Sequence, residues 1–450
     1  MKYSGSTTSL KTFAKGGLHP PDNKLSKDKP ITAIAIPAKI TIPVLQHIGS
    51  PAIPVVNKKD RVKVGQLIAK SGGFVSANIH SPVSGTITGI DEIIDASGYK
   101  RKAILIDVEG DEWDESIDRT PEIKRECEFD IATIIEKVSS AGIVGLGGAT
   151  FPTHVKLSIP TGKKAEVLII NGVECEPYLT SDHRLMLEKG EEILIGTSIL
   201  MKALQVSKAY IGIENNKPDA IEHLNELCKQ YSNIEIVALK VRYPQGGEKQ
   251  LIKAITGREV PSGALPVDVG AVVQNVGTAF AVYEAVQKNK PLIERVVTVV
   301  GKSLTNSSNF LVRMGTPISA LIAEAGGLPN DTGKIINGGP MMGKALGTIE
   351  ISVTKGMSGL VVLPSHESQR EQVMSCIRCA KCISVCPMGL EPYLLMILVQ
   401  KRMYEQVGNE AVLDCIECGS CSYTCPSNRP LLDYIRLGKA EYRKLKTVHK

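Results

Sequence analysis

The chain has 450 residues, 43% of them hydrophobic and 22% charged, which predicts a globular protein of about three domains. A net charge of +6 is small for this length and only 4% of residues are aromatic, so a nucleic-acid partner is not expected. The opening MKYSGSTTSLKTF lacks the apolar core of a secretory signal. The longest apolar runs, such as LLMILV at 394–399, are far shorter than the roughly 20 residues of a membrane-spanning helix, so no transmembrane segment is expected.

Residues 1–115 are predicted to form an N-terminal segment followed by a small β domain. Short β-forming runs, ITAIAI, VKVGQLIAK, GTITGI and AILIDV, lie between residues 31 and 110 and are separated by Gly, Pro and Asn. The stretch from VKVGQ to TITGI resembles the barrel-sandwich domains of lipoyl and biotinyl carriers. Those carriers present a lysine at a hairpin tip, and NIHSPVSGT at 78–86 has none. We therefore interpret this domain as a scaffold or docking unit.

Residues 125–290 alternate between strand-like and helix-like patterns, which predicts a mostly parallel sheet with helices on its faces. The predicted strands are 165–172, 208–214, 234–240 and 270–274, and the predicted helices lie near 184–205, 217–231, 248–256 and 277–288. Ligands of such sheets bind outside the carboxyl ends of the strands. A ligand site is therefore expected in the loops that follow these strands.

A glycine-rich loop, GLGGATFPTHVK at 145–156, precedes the first predicted strand. Its three glycines within four residues indicate a backbone that approaches a ligand closely. The loop matches neither common phosphate-binding motif, because Lys156 is too far from Gly148 for a Walker A loop and Thr150 stands where the dinucleotide fingerprint needs glycine. It also follows a stretch with helical spacing, with Ile134 and Val138 on its apolar face, instead of a strand.

Polar clusters follow three of the predicted strands: NGVECEP at 171–177, RYPQGGE at 242–248 and QNVGT at 274–278. Taken singly, each is ordinary loop chemistry, since Asn and Gly favour turns and Glu favours the first turn of a helix. Together with the glycine loop they would surround one crevice. Their convergence favours a ligand site over three unrelated turns.

Residues 291–365 are predicted to form a separate small α+β unit. A strand at ERVVTVVG is followed by a helix that ends at Gly326, and further strands are expected in ALGTIEISVTKGMSGLVVLP. The loop KIINGGPMMG at 334–343 has two open interpretations, a contact with a partner or the preceding domain, or an ordinary tight turn. Residues 366–450 form a cysteine-rich module, with a helix expected at EPYLLMILVQKRMY.

Eight of the 11 cysteines form two runs, each with the spacing C-x2-C-x2-C-x3-C-P. In bacterial ferredoxins this spacing holds two [4Fe–4S] clusters, each on three cysteines of one run and the fourth of the other. The predicted ligand sets are Cys376, Cys379, Cys382 and Cys425 for one cluster, and Cys415, Cys418, Cys421 and Cys386 for the second. Disulfides would need an oxidising compartment and zinc sites use pairs of cysteines, so both are disfavoured.

These motifs resemble two related families. GLGGATFPTHVK, NGVECEP, YPQGGE and NVGT resemble the flavin- and NADH-binding loops of the flavoprotein subunit of respiratory complex I. The opening KTFAKGGLHPPDNK at 11–24, together with the two cysteine runs, resembles the C subunit of the Rnf ferredoxin:NAD oxidoreductases. The resemblance implies an α/β and α+β multidomain chain. It comprises a β barrel-sandwich domain, a Rossmann-like FMN/NAD domain, a β-grasp (SLBB-like) domain at 291–365 and a two-cluster ferredoxin-like helical module.

The resemblance also implies non-covalent FMN, NAD(H) as substrate, and a set of binding residues. The residues expected to meet FMN or its phosphate are Gly145, Gly147, Gly148, Lys156, Asn171, Glu174, Asn275 and Thr278. Those expected to meet the dinucleotide are Phe151, Glu176 and Glu248, with Gly246 and Gly247 beside them. The chain departs from the complex I pattern at Leu146, where that flavoprotein has Arg, and at Thr150, where it has Gly. Some phosphate contacts are therefore expected to differ.

The implied function is electron transfer among NAD(H), FMN and two clusters, in a peripheral subunit on the cytoplasmic side of a membrane-bound, ion-translocating complex. Its expected partners are the other subunits, with ferredoxin reached indirectly, and no acid–base residues are assigned. Two alternatives stay open at this point. One is a soluble flavin/iron–sulfur reductase of the cobalamin-reductase type. The other is an electron-transfer or assembly subunit without NAD chemistry of its own.

Overall fold

The computed structural model describes residues 10–448, and its first part is a β domain of two small sheets. The strands are β1 (Ile31–Ala33), β2 (Lys39–Pro43), β3 (Ile53–Pro54), β4 (Arg61–Val62), β5 (Leu67–Lys70), β6 (Ile79–His80), β7 (Gly85–Ile94) and β8 (Lys100–Val108). One sheet has the order β2-β8-β7-β4 and the other β3-β5-β6. Alternate residues such as Ile40, Ile42, Ile104 and Ile106 point into a shared core, as the period of a half-buried strand requires.

Strand β1 does not belong to this domain, which corrects the prediction for the run ITAIAI. Ile31–Ala33 pair in parallel with residues 309–311 and form the edge of a six-stranded sheet much later in the chain. A β-forming run identifies a strand but not its partner, since pairing depends on contacts far along the chain. The prediction of a strand is therefore confirmed, but its assignment to the β domain is wrong.

The central domain is a parallel sheet covered by helices on both faces. Its elements are α1 (Ile131–Ser140), α2 (Thr153–Leu157), β9 (Val167–Asn171), α3 (Ser181–Glu188), α4 (Gly190–Leu204), β10 (Ala209–Glu214), α5 (Pro218–Cys228), β11 (Ile234–Leu239), α6 (Glu248–Thr256), β12 (Ala271–Asn275) and α7 (Val276–Gln287). The order β11-β10-β9-β12 is parallel throughout, which confirms the prediction. Helices α4 and α7 approach so closely that a Cβ added to Gly196 would lie 1.9 Å from the carbonyl oxygen of Ala279.

The third region builds the six-stranded sheet β1-β14-β13-β17-β15-β16. Its elements are β13 (Glu294–Val300), β14 (Ser308–Arg313), α8 (Ile318–Glu324), β15 (Thr332–Asn337), β16 (Lys344–Ala345), β17 (Gly359–Pro364) and α9 (Ser365–Ser368). Of the run ALGTIEISVTKGMSGLVVLP that was expected to form strands, GLVVLP forms β17 as predicted, whereas residues 346–358 form no strand, which corrects that part of the prediction. Residues 346–358 depart from it for a structural reason. The segment forms instead a loop stitched to the turn before α8, with Gly315 N–H donating to Val353 O at 2.8 Å and Ile318 N–H to Ile351 O at 2.9 Å.

The cysteine-rich module is helical. It consists of α10 (Lys381–Ser384), α11 (Pro392–Gln400), α12 (Tyr404–Asn409), α13 (Ser420–Tyr423) and α14 (Leu431–Val448). Leu395, Val399, Val407 and Ile435 form its apolar core, and α11 confirms the helix predicted between the cysteine runs. Within residues 10–448, no helix is both long and apolar enough to cross a membrane.

The N-terminal motif at residues 11–24 forms a strap that lies across the central domain and the cysteine-rich module. Gly17 N–H donates to Val385 O at 2.9 Å, and Leu18 exchanges two backbone hydrogen bonds with Tyr243 at 2.9 and 2.8 Å. A Cβ added to Gly16 would lie 2.5 Å from the backbone of Cys386, so the close approach depends on glycine. The strap therefore fixes the cysteine-rich module beside the loop at 242–248.

A buried lysine joins the β domain, the central domain and the third region. Lys355 Nζ donates to the carbonyl oxygens of Asn78 and Gly142, both at 2.7 Å. Its backbone N–H donates to Gln46 Oε1 at 3.0 Å, and its carbonyl accepts a hydrogen bond from Arg295. Burial lowers the pKa of Lys355 to about 7. The junction thus contains a cation whose charge is easily lost.

The free energy of unfolding should rise between pH 7 and pH 10 in the wild type, and replacing Lys355 with Met should reduce that rise. The unfolded chain keeps this lysine proton up to about pH 10, whereas the folded chain releases it near pH 7. The wild type should therefore gain up to about 1.4 kcal/mol per pH unit between pH 7 and pH 10 from this group. Burial lowers the pKa of both neighbouring histidines, His47 and His80, so they stay neutral over this range.

The measurement is the thermal unfolding midpoint of the intact protein at several pH values. Lys39→Met is the matched control, because Lys39 is exposed and its salt bridge to Asp107 is long, at 3.6 Å. An unchanged pH slope in Lys355→Met would contradict the expectation.

Candidate functional site

The glycine loop is closed upon itself and tied to α7. Gly145 N–H donates to Phe151 O at 2.9 Å, and Leu146 N–H donates to Thr278 Oγ1 at 2.9 Å. Thr278 is fully buried, and a Cβ on Gly147 would lie 3.5 Å from Asn275. The structure therefore brings the glycine loop and the QNVGT segment together, with Thr278 supporting the loop from behind.

Thr150 adopts a left-handed backbone conformation, with φ of +51°. This is a sterically unfavourable region for a β-branched residue and needs support from its surroundings. Thr150 O accepts a hydrogen bond from Ile48 N–H at 3.3 Å, and a Cβ added to Gly356 would lie 2.6 Å from the Thr150 methyl group. The residue that breaks the dinucleotide fingerprint is thus held by the β domain and the third region.

The rest of the loop presents free backbone donors. Within the described part of the chain, the N–H groups of Gly147, Gly148 and Ala149 have no hydrogen-bond partner, and the space around Gly148 is open. Successive free N–H groups form a concave donor surface that suits a phosphate or pyrophosphate. The loop therefore fits a phosphorylated cofactor, although its spacing matches no standard motif.

Asn275 links the strand ends to the crevice. Its Oδ1 accepts from Gly277 N–H at 2.8 Å and so caps α7. Its Nδ2 donates to Asp182 Oδ2 at 2.7 Å and, at 3.4 Å, to Asn171 O. Next to it, Gln274 is buried and its Nε2 has no partner among the described residues, which leaves a donor for a bound cofactor.

Asn171 and the two glycines of YPQGGE hold a second wall of the crevice. Asn171 Nδ2 donates to Gly246 O at 2.9 Å, and its Oδ1 accepts from Val173 N–H at 3.1 Å. A Cβ on Gly246 would lie 3.2 Å from Cys175 Sγ, and Gly247 caps the N-terminus of α6. The expected ligands from β9 and from the loop after β11 are therefore adjacent.

Lys156 and Glu248, assigned to different ligands, form an ion pair. Lys156 Nζ donates to Glu248 Oε1 at 2.7 Å and to Val273 O at 3.0 Å. The side chains are 29% and 40% exposed, so the pair is open to a ligand and screened by water. The cation expected for a phosphate is thus oriented by the carboxylate expected for the dinucleotide.

Glu174 caps helix α3, which brings a second carboxylate close to it. Its two oxygens accept the backbone N–H groups of Asp182 at 2.8 Å and His183 at 3.1 Å. Burial raises the pKa of Asp182 to about 7, and the charge of Glu174 adds to the rise. The buried guanidinium of Arg295 opposes it and donates to Leu146 O at 3.3 Å. Asp182 and Arg295 were not predicted, and no local sequence signal distinguishes them.

Glu176 contacts the loop KIINGGPMMG of the third region. Its carboxylate accepts the backbone N–H groups of Met341 at 3.0 Å and Met342 at 2.8 Å. Burial raises the pKa of Glu176 to about 7, although these two hydrogen bonds act in the opposite direction. Of the two interpretations left open for this loop, contact with the central domain is confirmed.

Lys24, at the end of the N-terminal strap, organises the backbone around both glutamates. Its Nζ donates to the carbonyl oxygens of Glu174 and Glu176 at 2.9 Å and of Leu179 at 2.5 Å. The sequence singled out the motif KGGLHPPDNK but gave this lysine no role. The contact shows that the motif shapes the crevice as well as fixing the cysteine-rich module.

Four cysteines line one small apolar pocket in the cysteine-rich module: Cys386, Cys415, Cys418 and Cys421. This is the set expected for the second cluster. Burial raises the pKa of Cys415 to about 11 and of Cys421 to about 12, so iron would have to displace protons from these thiols. Backbone N–H groups of Leu390 and Glu417 point at the sulfurs of Cys386 and Cys415, both at 3.4 Å, and such hydrogen bonds to sulfur suit a cluster.

The other expected set is more open. Cys376 and Cys379 are exposed, whereas Cys382 and Cys425 are partly buried. Burial raises the pKa of the Cys382 thiol. The two sets therefore differ in depth: one lies inside the module and the other at its surface.

Four family models match the chain in succession. They are the RnfC barrel sandwich hybrid domain over residues 11–111, the Nuo51 FMN-binding domain over 138–284, the SLBB domain over 296–345 and the 4Fe-4S dicluster domain over 369–426. These matches confirm the predicted fold classes, and the FMN-binding and dicluster models support FMN and [4Fe–4S] clusters as cofactors.

Three curated relatives match most of the chain, two of them over nearly its whole length. The C subunit of the proton-translocating ferredoxin:NAD(+) oxidoreductase complex of Clostridium ljungdahlii is 48% identical, over 96% of this chain and 94% of that protein. The C subunit of the Na(+)-translocating complex of Acetobacterium woodii is 44% identical, over 95% and 96%. The C subunit of the ion-translocating oxidoreductase complex of Rhodobacter capsulatus is 42% identical, over 86% and 75%.

Among solved structures, an NAD+-reducing [NiFe]-hydrogenase in the H2-reduced state aligns with a TM-score of 0.49 and 17% identity, over 68% of this chain and 61% of that chain. The assignment depends on the curated relatives, whose identity extends over nearly the full length of the chain. The chain belongs to the RnfC family, the C subunits of the ion-translocating ferredoxin:NAD(+) oxidoreductase (Rnf) complexes.

Proposed function

We propose that this chain carries electrons between NAD(H) and the other subunits of an ion-translocating complex, through FMN and two [4Fe–4S] clusters. The observation that carries the proposal is the contact between the crevice and the cysteine pocket. Gln250, in the first turn of α6 two residues after Glu248, donates from Nε2 to the sulfur of Met388, which lines the pocket, at 3.2 Å. Helix α6, which begins at the crevice residue Glu248, therefore contacts a residue that lines the cysteine pocket.

The crevice residues divide into ligands and supports. The free N–H groups of residues 147–149 and the amine of Lys156 are the proposed partners of the FMN phosphate, with Asn171, Glu174 and Asn275 toward the flavin. Phe151, Glu176 and Glu248 are the proposed partners of the dinucleotide. Thr278, Gly246 and Gly247 hold the walls in place. When bound, FMN exchanges electrons in pairs with a nicotinamide and singly with an iron–sulfur cluster, so it belongs between them.

The exposed face of the cysteine-rich module supports a place for electron exchange with a partner. Cys376 and Cys379 are exposed, and the neighbouring Val373 and Ile377 are 53% and 68% exposed. Exposed apolar residues around an open cluster loop are typical of a surface that a partner protein covers. We infer that this end faces the membrane-bound partners, with the chain peripheral on the cytoplasmic side and ferredoxin reached through other subunits.

Anaerobic purification distinguishes this function from its alternatives. The proposal expects flavin released on denaturation, iron for two clusters, and reduction of both cofactor types by NADH. A brown protein without flavin or NADH:ferricyanide activity would support an electron-transfer or assembly subunit. Full activity without association with any membrane fraction would support the soluble reductase.

Cysteine variants test the crossed ligand sets. Cys386→Ser should remove about half of the iron and the same EPR signal that Cys415→Ser removes, because both cysteines line one pocket. Cys425→Ser should instead match Cys376→Ser. Cys228→Ser, a partly buried thiol outside both runs, is the control and should keep all of the iron. If Cys386→Ser matches Cys376→Ser, each run holds its own cluster and the crossed assignment is wrong.

Lys156→Met should weaken FMN binding by about 10- to 100-fold, which corresponds to the roughly 1.5–3 kcal/mol of a charge-assisted hydrogen bond. The loss also leaves Glu248 without its partner, so its charge would repel a phosphate. Lys208→Met is the control, because Lys208 pairs with Glu235 at 3.0 Å beside the amino ends of β10 and β11. The measurement is flavin and iron per chain. Full flavin content with unchanged affinity in Lys156→Met would remove this lysine from the proposed site.

A further inference from the structure

A single hydroxyl group stands between a glutamate of the crevice and the inner cysteine pocket. Tyr243 is 2% exposed, and its Oη donates to the carbonyl oxygen of Cys418 at 2.7 Å. The same Oη lies 3.4 Å from Glu176 Oε1. A phenol has only one hydrogen to donate, so it can serve one of these acceptors well at any moment. In this structure the shorter contact is to the Cys418 carbonyl.

A second contact links the same glutamate to the same cysteine run. The backbone N–H groups of Met341 and Met342 donate to Glu176 at 3.0 and 2.8 Å. The carbonyl oxygen of Met341 lies against Gly419, where an added Cβ would approach it to 2.6 Å. A movement of the Glu176 carboxylate would therefore reach residues 418–419 by two routes, through the Tyr243 hydroxyl and through the backbone of Met341.

This arrangement has an electrical consequence for the inner cluster site. Hydrogen bonds and dipoles around the cysteine ligands help to set the reduction potential of an iron–sulfur cluster. A hydrogen bond to the Cys418 carbonyl offsets the negative end of that peptide dipole, which stabilises added negative charge nearby. A nucleotide hydroxyl or amide that occupies Glu176 would leave the Tyr243 hydrogen entirely to Cys418, and so favour cluster reduction.

We propose that Glu176 and Tyr243 are positioning residues that couple occupancy of the nucleotide site to the reduction potential of the cluster assigned to Cys386, Cys415, Cys418 and Cys421. The inference depends on the proposed function, since it needs a nucleotide at Glu176 and a cluster in the pocket. It adds a thermodynamic link between the two sites. By the reciprocity of linked equilibria, reduction of this cluster would also tighten nucleotide binding.

The test is a redox titration monitored by EPR, with and without a redox-inert NADH analogue, 1,4,5,6-tetrahydro-NADH. The intact wild type should show a higher midpoint potential for the inner cluster when the analogue is bound. Cys386→Ser identifies that cluster's signal. Tyr243→Phe should keep its iron and flavin, have a lower potential for this cluster, and lose the shift. Tyr283→Phe is the control, because Tyr283 is 3% exposed and, among residues 10–448, its hydroxyl accepts only the N–H of Lys124, at 3.3 Å.

The possible outcomes distinguish a failure of the proposed coupling from a failure of the proposed function. A shift of wild-type size in Tyr243→Phe, or no shift in a wild type that binds the analogue, overturns the coupling and leaves the proposed function intact. Absence of analogue binding by equilibrium dialysis overturns both. If Tyr243→Phe loses iron, Glu176→Gln serves instead at saturating analogue. It keeps the Tyr243–Cys418 contact and should also lose the shift, and a retained shift overturns the proposal.

Discussion

The parallel direction of β9, β10, β11 and β12 is the constraint from which the site follows. Parallel strands deliver every following loop to the same edge of a sheet, so residues distant in sequence meet there. Asn275 then joins the loops, with hydrogen bonds to Gly277, Asp182 and Asn171 from one amide. Without this junction the glycine loop, which is tied to the adjacent Thr278, would have no fixed distance from the opposite wall.

Around this edge the fold buries charged groups that a stable core does not require. Burial favours the neutral form of four of these groups: it raises the pKa of the carboxyls of Asp182 and Glu176, and it lowers the pKa of Arg295 and Lys355. Each is held by hydrogen bonds to the backbone or to another side chain, which limits the desolvation cost. Such networks favour one arrangement of loops over nearby alternatives, which is what a site for a flavin and a nucleotide needs. The left-handed backbone of Thr150 is likewise unfavourable by itself and is held in place by contacts with the β domain and the third region.

Local patterns predicted the elements of the central domain because each strand and helix there repeats its own periodicity. The crevice followed from the strand-end rule, and the cysteine runs from their spacing. What the sequence concealed depends on long-range pairing. Strand β1 looked like part of the nearest β domain but pairs with β14. Strand β14 went unpredicted, and its buried Asn309 forms hydrogen bonds with Ser26 and Thr180 from distant segments and with Thr298 of the neighbouring strand β13. Tyr243 lay inside a recognised motif, but its partner Cys418 is in another module.

The N-terminal strap has a consequence for the time course of biosynthesis. Gly16 and Gly17 leave the ribosome early, yet their partners Val385 and Cys386 are made only when most of the chain is complete. At about 5–20 residues per second, this delay is on the order of 20–70 s. During that interval the strap lacks part of its final binding surface, and Lys24 can at most reach the carbonyls of 174–179. The nascent chain therefore cannot complete the contact between the strap and the cysteine-rich module until the first cysteine run has emerged.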